Sequence, residues 1–253
     1  MLVGKRFCIH YPEKGSYKMG PLDFEVEEGD FCLVLGKNGS GKTTLLRAVY
    51  GLLKTSGTLK FGDIDLMSSP PEQRHRFLAW IGDEQWCEPT SSVNENMAYL
   101  LPLYPDFDRE LFEQMMEEFA FDSVERGKPY GLLSVAQKVL LQTAFAFSKK
   151  SKLILVDEPM VAMNLKDRER WVQRLHDQAE ASGITVMMAT HVLDALRSIT
   201  DRVILMEDGR IAACERADNP NRSVAMQRAR LVFRTMTPRE EETYWAGKDG
   251  PGL

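Results

Sequence analysis

The apolar run Phe31-Cys32-Leu33-Val34-Leu35 leads directly into Gly36-Lys37-Asn38-Gly39-Ser40-Gly41-Lys42-Thr43, and Thr44-Leu45-Leu46-Arg47-Ala48-Val49-Tyr50 follows with helical character. No other stretch constrains the fold as strongly. The first segment reads as a buried strand, and the second has the spacing Gly, four residues, Gly-Lys-Thr of a loop that cradles phosphate. A helix start leaves backbone N–H groups without intrahelical partners, and the aligned peptide dipoles favour negative charge there. The glycines let the backbone approach phosphate oxygens closely. Lys42 is expected to reach the β- and γ-phosphates, and the Thr43 hydroxyl to ligate Mg²⁺.

A chain of 253 residues, 43% of them hydrophobic, holds one large domain or two small ones with a packed core. Its formal net charge of −5 supplies no overall basic field, so nucleic acid is not an expected partner. Cys8, Cys32, Cys87 and Cys214 are scattered without close pairs, which fits neither a disulfide framework nor a zinc cluster. No apolar stretch approaches the ~20 residues a membrane helix needs, and the first residues do not read as a leader, so any membrane role is expected to run through a partner.

Turn signals at Pro12-Glu13-Lys14-Gly15 and Glu28-Gly29-Asp30 break residues 1–30 into short antiparallel strands. Leu59-Lys60-Phe61 and Leu78-Ala79-Trp80-Ile81 read as further strands on either side of the Pro70-Pro71 break. From Ser92 to Lys150 the pattern is helical, with Leu111, Phe112, Met115, Met116 and Phe119 recurring on one face as a core stripe. Strands resume at residues 153–156, 185–188 and 203–206. Alternation of strands with helices predicts an α/β fold with a mostly parallel sheet. The basic last ~30 residues lose periodicity and read as a solvated tail.

The strand ending at Val156 delivers Asp157-Glu158-Pro159 at its carboxyl end, where ligands sit in open α/β sheets. Asp157 is expected in the Mg²⁺ shell and Glu158 as the base that polarises the attacking water. His191 follows the strand 184–189 and emerges on the same sheet edge, where it is expected to contact the γ-phosphate.

Carried by these residues, the chain from Leu2 to about Ala213 resembles the ATP-binding cassette subunit of an ABC transporter. Gly36–Thr43 matches the Walker A motif, Leu153–Glu158 the Walker B motif with its catalytic glutamate, and His191 the switch histidine. The resemblance implies a P-loop NTPase (RecA-like) core, an antiparallel β subdomain and an inserted α-helical subdomain. The implied bounds are residues 1–85 for the β subdomain and first part of the core, 86–150 for the helices, 151–215 for the rest of the core and 216–253 for the tail. It implies ATP and Mg²⁺ as ligands, held by Gly36, Asn38, Gly39, Ser40, Gly41, Lys42, Thr43 and Thr44. Lys42, Glu158 and His191 are the implied catalytic groups, and Thr43, Gln85 and Asp157 the metal ligands. Tyr11 matches the aromatic residue that stacks on adenine, with Tyr17 as a rival. Gln85 takes the place of the glutamine that couples the ATP site to the membrane subunits.

Two departures stand out. The family signature Leu-Ser-Gly-Gly-Gln is here Leu133-Ser134-Val135-Ala136-Gln137, which restricts the backbone that Ser134 presents to the ATP of an opposite subunit. Asn164 replaces a frequent aspartate and loses its charge. The groups that serve the chain's own ATP are kept while those lent to a partner are altered. An asymmetric pair with a different cassette and a homodimer that tolerates the change both remain open. The implied partners are a transmembrane permease subunit and this second cassette, and the implied place is cytoplasmic, peripheral on the inner face of the cell membrane. Tyr104-Pro105-Asp106-Phe107-Asp108 is similar to small bacterial exporter cassettes, so export is the expected direction. A soluble ABC ATPase in cofactor assembly is the alternative.

Overall fold

The computed structural model describes residues 1–10, 18–82, 86–157, 163, 165–190, 196, 198–217 and 227. Its centre is a six-stranded sheet in the order β10-β9-β3-β8-β7-β6. These strands are β3 (Phe31–Leu35), β6 (Leu78–Ile81), β7 (Leu153–Asp157), β8 (Thr185–Ala189), β9 (Arg202–Glu207) and β10 (Arg210–Arg216). The pairings β3–β8, β3–β9, β6–β7 and β7–β8 are parallel, and only β10 runs antiparallel to its neighbour β9.

Every residue of β3, β7 and β8 is buried, as a parallel sheet covered on both faces requires. Side chains alternate between faces along a strand, and here that alternation sorts the core into two layers. Leu33, Ile154, Val156, Val186, Met188 and Leu205 enter the layer beneath the helices. Cys32, Val34, Leu155, Met187, Ile204 and Met206 enter the opposite layer, against α1 (Lys42–Tyr50) and a second sheet. That second sheet, ordered β2-β1-β4-β5, is antiparallel throughout. It comprises β1 (Leu2–His10), β2 (Lys18–Val26), β4 (Lys54–Phe61) and β5 (Ile64–Asp65). A buried ion pair ties the start of β3 to β9: Arg202 Nε donates to Asp30 Oδ2 at 2.7 Å, while its terminal NH₂ group donates to Glu27 Oε1 at 2.9 Å.

After β5, α2 (Pro71–Phe77) leads into β6, and four helices then intervene before β7: α3 (Val93–Leu100), α4 (Arg109–Glu118), α5 (Ser123–Gly127) and α6 (Val135–Ser148). Each begins at a residue whose side chain accepts from the first turn: Ser92, Asp108, Asp122 and Ser134. The α4 stripe packs as its spacing predicts, with Phe112, Met115 and Met116 buried and Leu111 and Phe119 against them. α6 is buried on most sides, through Val139, Leu141, Ala144, Phe145, Ala146 and Phe147. α7 (Leu165–Ser182) covers the same layer through Trp171, Val172, Leu175 and Ala179. The mixed α/β architecture with a parallel core sheet, an antiparallel sheet and inserted helices agrees with the fold expected from the sequence. β4 is longer than the expected Leu59–Phe61, because Thr55, Ser56 and Thr58 carry no apolar alternation and are held by register with β1.

Candidate nucleotide-binding site

The carboxyl end of β3 turns into the loop 36–41 because glycine occupies the positions that need it. At Gly36 (φ +155°) a Cβ would stand 2.4 Å from both the Met206 carbonyl and Ser40 Oγ. At Gly41, φ is +105° and a Cβ would meet the Met19 sulfur at 2.9 Å. Gly41 is the residue from which α1 starts, no side chain caps that start, and its first turn holds no acid. The positive end of the helix is thus left to a ligand.

Polar groups around this start are arranged for an anion and a hard cation. Lys42 is buried, and its Nζ donates to the carbonyls of Gly36 (3.1 Å) and Lys37 (3.3 Å), folding back over the loop. The Ser40 hydroxyl is buried with no hydrogen-bond partner among the described residues. A buried hydroxyl left without a partner costs about 1–3 kcal/mol, a demand that a phosphate oxygen would meet. Thr43 Oγ1 donates to Asp157 Oδ1 at 2.8 Å, joining residues 114 positions apart. A hydroxyl and a carboxylate side by side are the hard oxygen donors that Mg²⁺ prefers, and the phosphate oxygens would complete its shell.

Two clefts flank the loop. One of about 340 Å³ is lined by Met19, Gly39, Ser40, Gly41, Lys42, Thr43, Thr44, Asp208 and Gly209. The other, of about 280 Å³, runs from Gly36 to Ser40 and along Leu205, Met206, Glu207 and Asp208. Asp208 and Gly209 form the turn between β9 and β10, and the Gly209 N–H donates to the Ser40 carbonyl at 3.0 Å. Sequence reading missed this turn and Met19. The Asp-Gly pair was visible as a hairpin signal, but its place beside the phosphate loop follows from β9 pairing with β3.

The strand ends converge as expected. β8 lies between β3 and β7, with Ala189 opposite both Val34 and Asp157, so the carboxyl ends of three strands lie side by side next to the loop. Thr190, just after β8, is buried and donates its N–H to the Val34 carbonyl. Gly36, Asn38, Gly39, Ser40, Gly41, Lys42, Thr43, Thr44 and Asp157 are brought to one edge. Tyr11, Tyr17, Gln85, Glu158, Asn164 and His191 lie outside the described residues.

Ser134 stands elsewhere. It precedes α6, whose side chains fill the layer on the opposite face of the sheet from α1. Its hydroxyl accepts from the Gln137 N–H (3.1 Å), and its own N–H donates to Gln137 Oε1 (2.9 Å), a reciprocal cap. Leu132 (75% exposed) and Val135 (52% exposed) flank it as bare apolar surface.

The sequence matches the ABC transporter family model over residues 19–161. It is 34% identical over 201 residues to the spermidine/putrescine import ATP-binding protein PotA of Marinobacter nauticus, covering 78% of this chain and 53% of that protein. Against the phosphonates import ATP-binding protein PhnC of Hyphomonas neptunium it is 29% identical over 210 residues, covering 78% of this chain and 80% of the relative. The chain spans about half the length of PotA and of the sulfate/thiosulfate import protein CysA of Vibrio cholerae, 53% and 58% respectively. Among solved structures, the ATP-binding cassette MJ0796 bound to ADP and Pi superposes with a TM-score of 0.75 at 21% identity, covering 87% of this chain and all of that one. The match of the family model to more than half of the sequence shows that the chain belongs to the ABC transporter family.

Proposed function

We propose that this chain binds ATP with Mg²⁺ at the β3–α1 turn, hydrolyses it, and drives transport through a separate membrane subunit by pairing with a second cassette. The observation that carries the reading is the Thr43–Asp157 hydrogen bond at a helix start with no side-chain cap and no acid in its first turn. Backbone N–H groups of the loop and Lys42 hold the β- and γ-phosphates. Lys42 gives up its bonds to the Gly36 and Lys37 carbonyls to do so. Thr43 and Asp157 would hold a magnesium ion, with Gln85 as a further ligand, and its charge would offset that of the phosphates. Glu158 takes the proton of the attacking water, His191 contacts the γ-phosphate, and Tyr11 stacks on adenine.

Ser134 reaches the γ-phosphate of the ATP held by the second cassette, of the same or a different chain, so ATP acts as the link between the two. Moving such a pair from 1:99 open to 99:1 closed takes about 5.5 kcal/mol of preference for the closed state, within reach of several charge-assisted contacts. Hydrolysis removes the link. The relatives named above are import subunits, which favours uptake over the export expected from Tyr104–Asp108. Among the described residues no helix is long and apolar enough to cross a membrane, which fits a membrane path supplied by another subunit. The test is ATP binding and hydrolysis by the purified chain, followed by co-purification from detergent extract. Saturable Mg²⁺-dependent binding and a multi-helix companion are expected. A chain that binds no ATP overturns the reading.

A further inference from the structure

The edge of the parallel sheet at β6 is completed by a side chain. Among the described residues, strand β6 has β7 on one side and no strand on the other, and its ladder with β7 runs to the pair Ile81–Val156. Gly82 comes next, and the Gln142 amide closes on it from both ends. Oε1 accepts from the Gly82 N–H at 2.9 Å, and Nε2 donates to the Gly82 carbonyl at 3.0 Å. A primary amide offers one acceptor and a donor in the geometry of a peptide group, so Gln142 stands in for a neighbouring strand. It is 3% exposed, in the middle of α6.

One helix holds β6 at both ends. Lys149, at the carboxyl end of α6, donates from Nζ to the carbonyls of His75, in α2, and of Leu78, the first residue of β6. Gln142 and Lys149 are two helical turns apart, about 10.5 Å along the helix axis. Leu78 and Gly82 are about 13 Å apart along a strand. The two spacings match well enough for α6 to lie against β6 and grip both ends. Gly82 leaves little play there, since a Cβ on it would stand 2.8 Å from Trp80 Nε1 and 3.3 Å from the Asp157 carbonyl. The strand end gripped by Gln142 therefore packs against the backbone of the aspartate that Thr43 bonds.

We infer that Gln142 is a positioning residue that ties the helix behind Ser134 to the end of β6, so that contact made at Ser134 is transmitted to the strand end three residues before Gln85. The inference rests on the proposed ATP function and adds the element that links its two half-sites. Because the amide makes two bonds to one residue, a shift of α6 along its axis carries Gly82 with it or breaks both bonds.

Hydrogen exchange on the full chain tests this, with ATP and Mg²⁺ as the probe and Glu158→Gln as the background that keeps ATP intact. Adding nucleotide is expected to slow exchange in residues 78–82 and 135–142 together, by about tenfold. In Gln142→Met, close to glutamine in size but without the amide, ATP affinity stays within about twofold and the phosphate loop 36–44 is still protected. The slowing in residues 78–82 disappears. Thr143→Val controls for lost stability: it removes the hydroxyl that accepts from Trp171 Nε1 at 2.9 Å, lowers Tm, and leaves the slowing in place. Retention of the slowing in Gln142→Met overturns the inference, as does its loss in Thr143→Val to the same degree. Should Gln142→Met not fold, the amide-intact chain alone decides: slowing of 135–142 without 78–82 overturns the coupling. Absence of ATP binding in the parent chain strikes the proposed function instead, so the two failures are distinguishable.

Discussion

The turn at Gly36–Thr43 and the turn at Leu133–Gln137 both start helices, yet they are finished differently. At the first, no side chain caps α1, Ser40 keeps a buried hydroxyl without a partner among the described residues, and glycines hold the backbone open. At the second, Ser134 and Gln137 satisfy each other, and the residues around them present apolar surface. The first turn is incomplete without a ligand. The second is complete as local structure. In the proposed pair the two turns meet around one nucleotide from separate chains, with the phosphate-binding groups at the first.

The contrast breaks most visibly at Glu158. Glu158→Gln is expected to bind ATP within about twofold of the parent chain while turnover falls about 10²- to 10⁴-fold, as loss of a general base costs. Steady-state phosphate release beside a binding titration checks this, and unchanged release removes Glu158 from the mechanism. Lys42→Ala comes next, since it deletes a charge-assisted donor worth about 1.5–3 kcal/mol, or roughly 10- to 100-fold in ATP affinity. Equal affinity in calorimetry would shift the ligand away from α1.

The far end of α6 sharpens the comparison through pH. Burial pushes the Lys149 ammonium down to about 7. Between that value and the ordinary lysine pKa near 10.5, the unfolded chain holds a proton that the folded chain has lost. Stability therefore rises with pH across this window, by about 1.4 kcal/mol per pH unit for one proton. Urea unfolding at pH 7.5 and 9 should show the rise, and Lys149→Met should flatten it; an equal slope in the variant assigns the effect elsewhere. The smallest effect is expected at the signature. Changing Val135 and Ala136 together to glycine costs up to about 1 kcal/mol of helix stability each and restores the close backbone approach at Ser134. A severalfold rise in ATP-driven pairing, read by light scattering, is the expected outcome. No rise would show that these two side chains do not limit the second half-site.

Legibility in the sequence followed the distance between interacting residues. The phosphate loop was readable because its eight residues carry their own geometry, whereas the Ser134–Gln137 cap went unread although both partners lie within one turn. The α4 stripe was readable from the helical period of Phe112, Met115 and Met116. Gln142 gave no such signal: its partner is 60 residues away, and nothing local distinguishes a glutamine that caps a strand from one that faces solvent. The same holds for the Gly209 bond to Ser40 and for the Arg202–Asp30 pair, which only the strand order brings together. The expectation of export, drawn from five residues at Tyr104–Asp108, found no support among relatives named for import.

The most direct test of the account is a crystal structure of the chain grown with a non-hydrolysable ATP analogue and Mg²⁺. Triphosphate density against the Gly36–Thr43 backbone, with the metal between the Thr43 hydroxyl and the Asp157 carboxylate and Lys42 turned from the Gly36 carbonyl to the phosphates, is the predicted result. Nucleotide bound elsewhere, with Lys42 still on the Gly36 and Lys37 carbonyls, would contradict it.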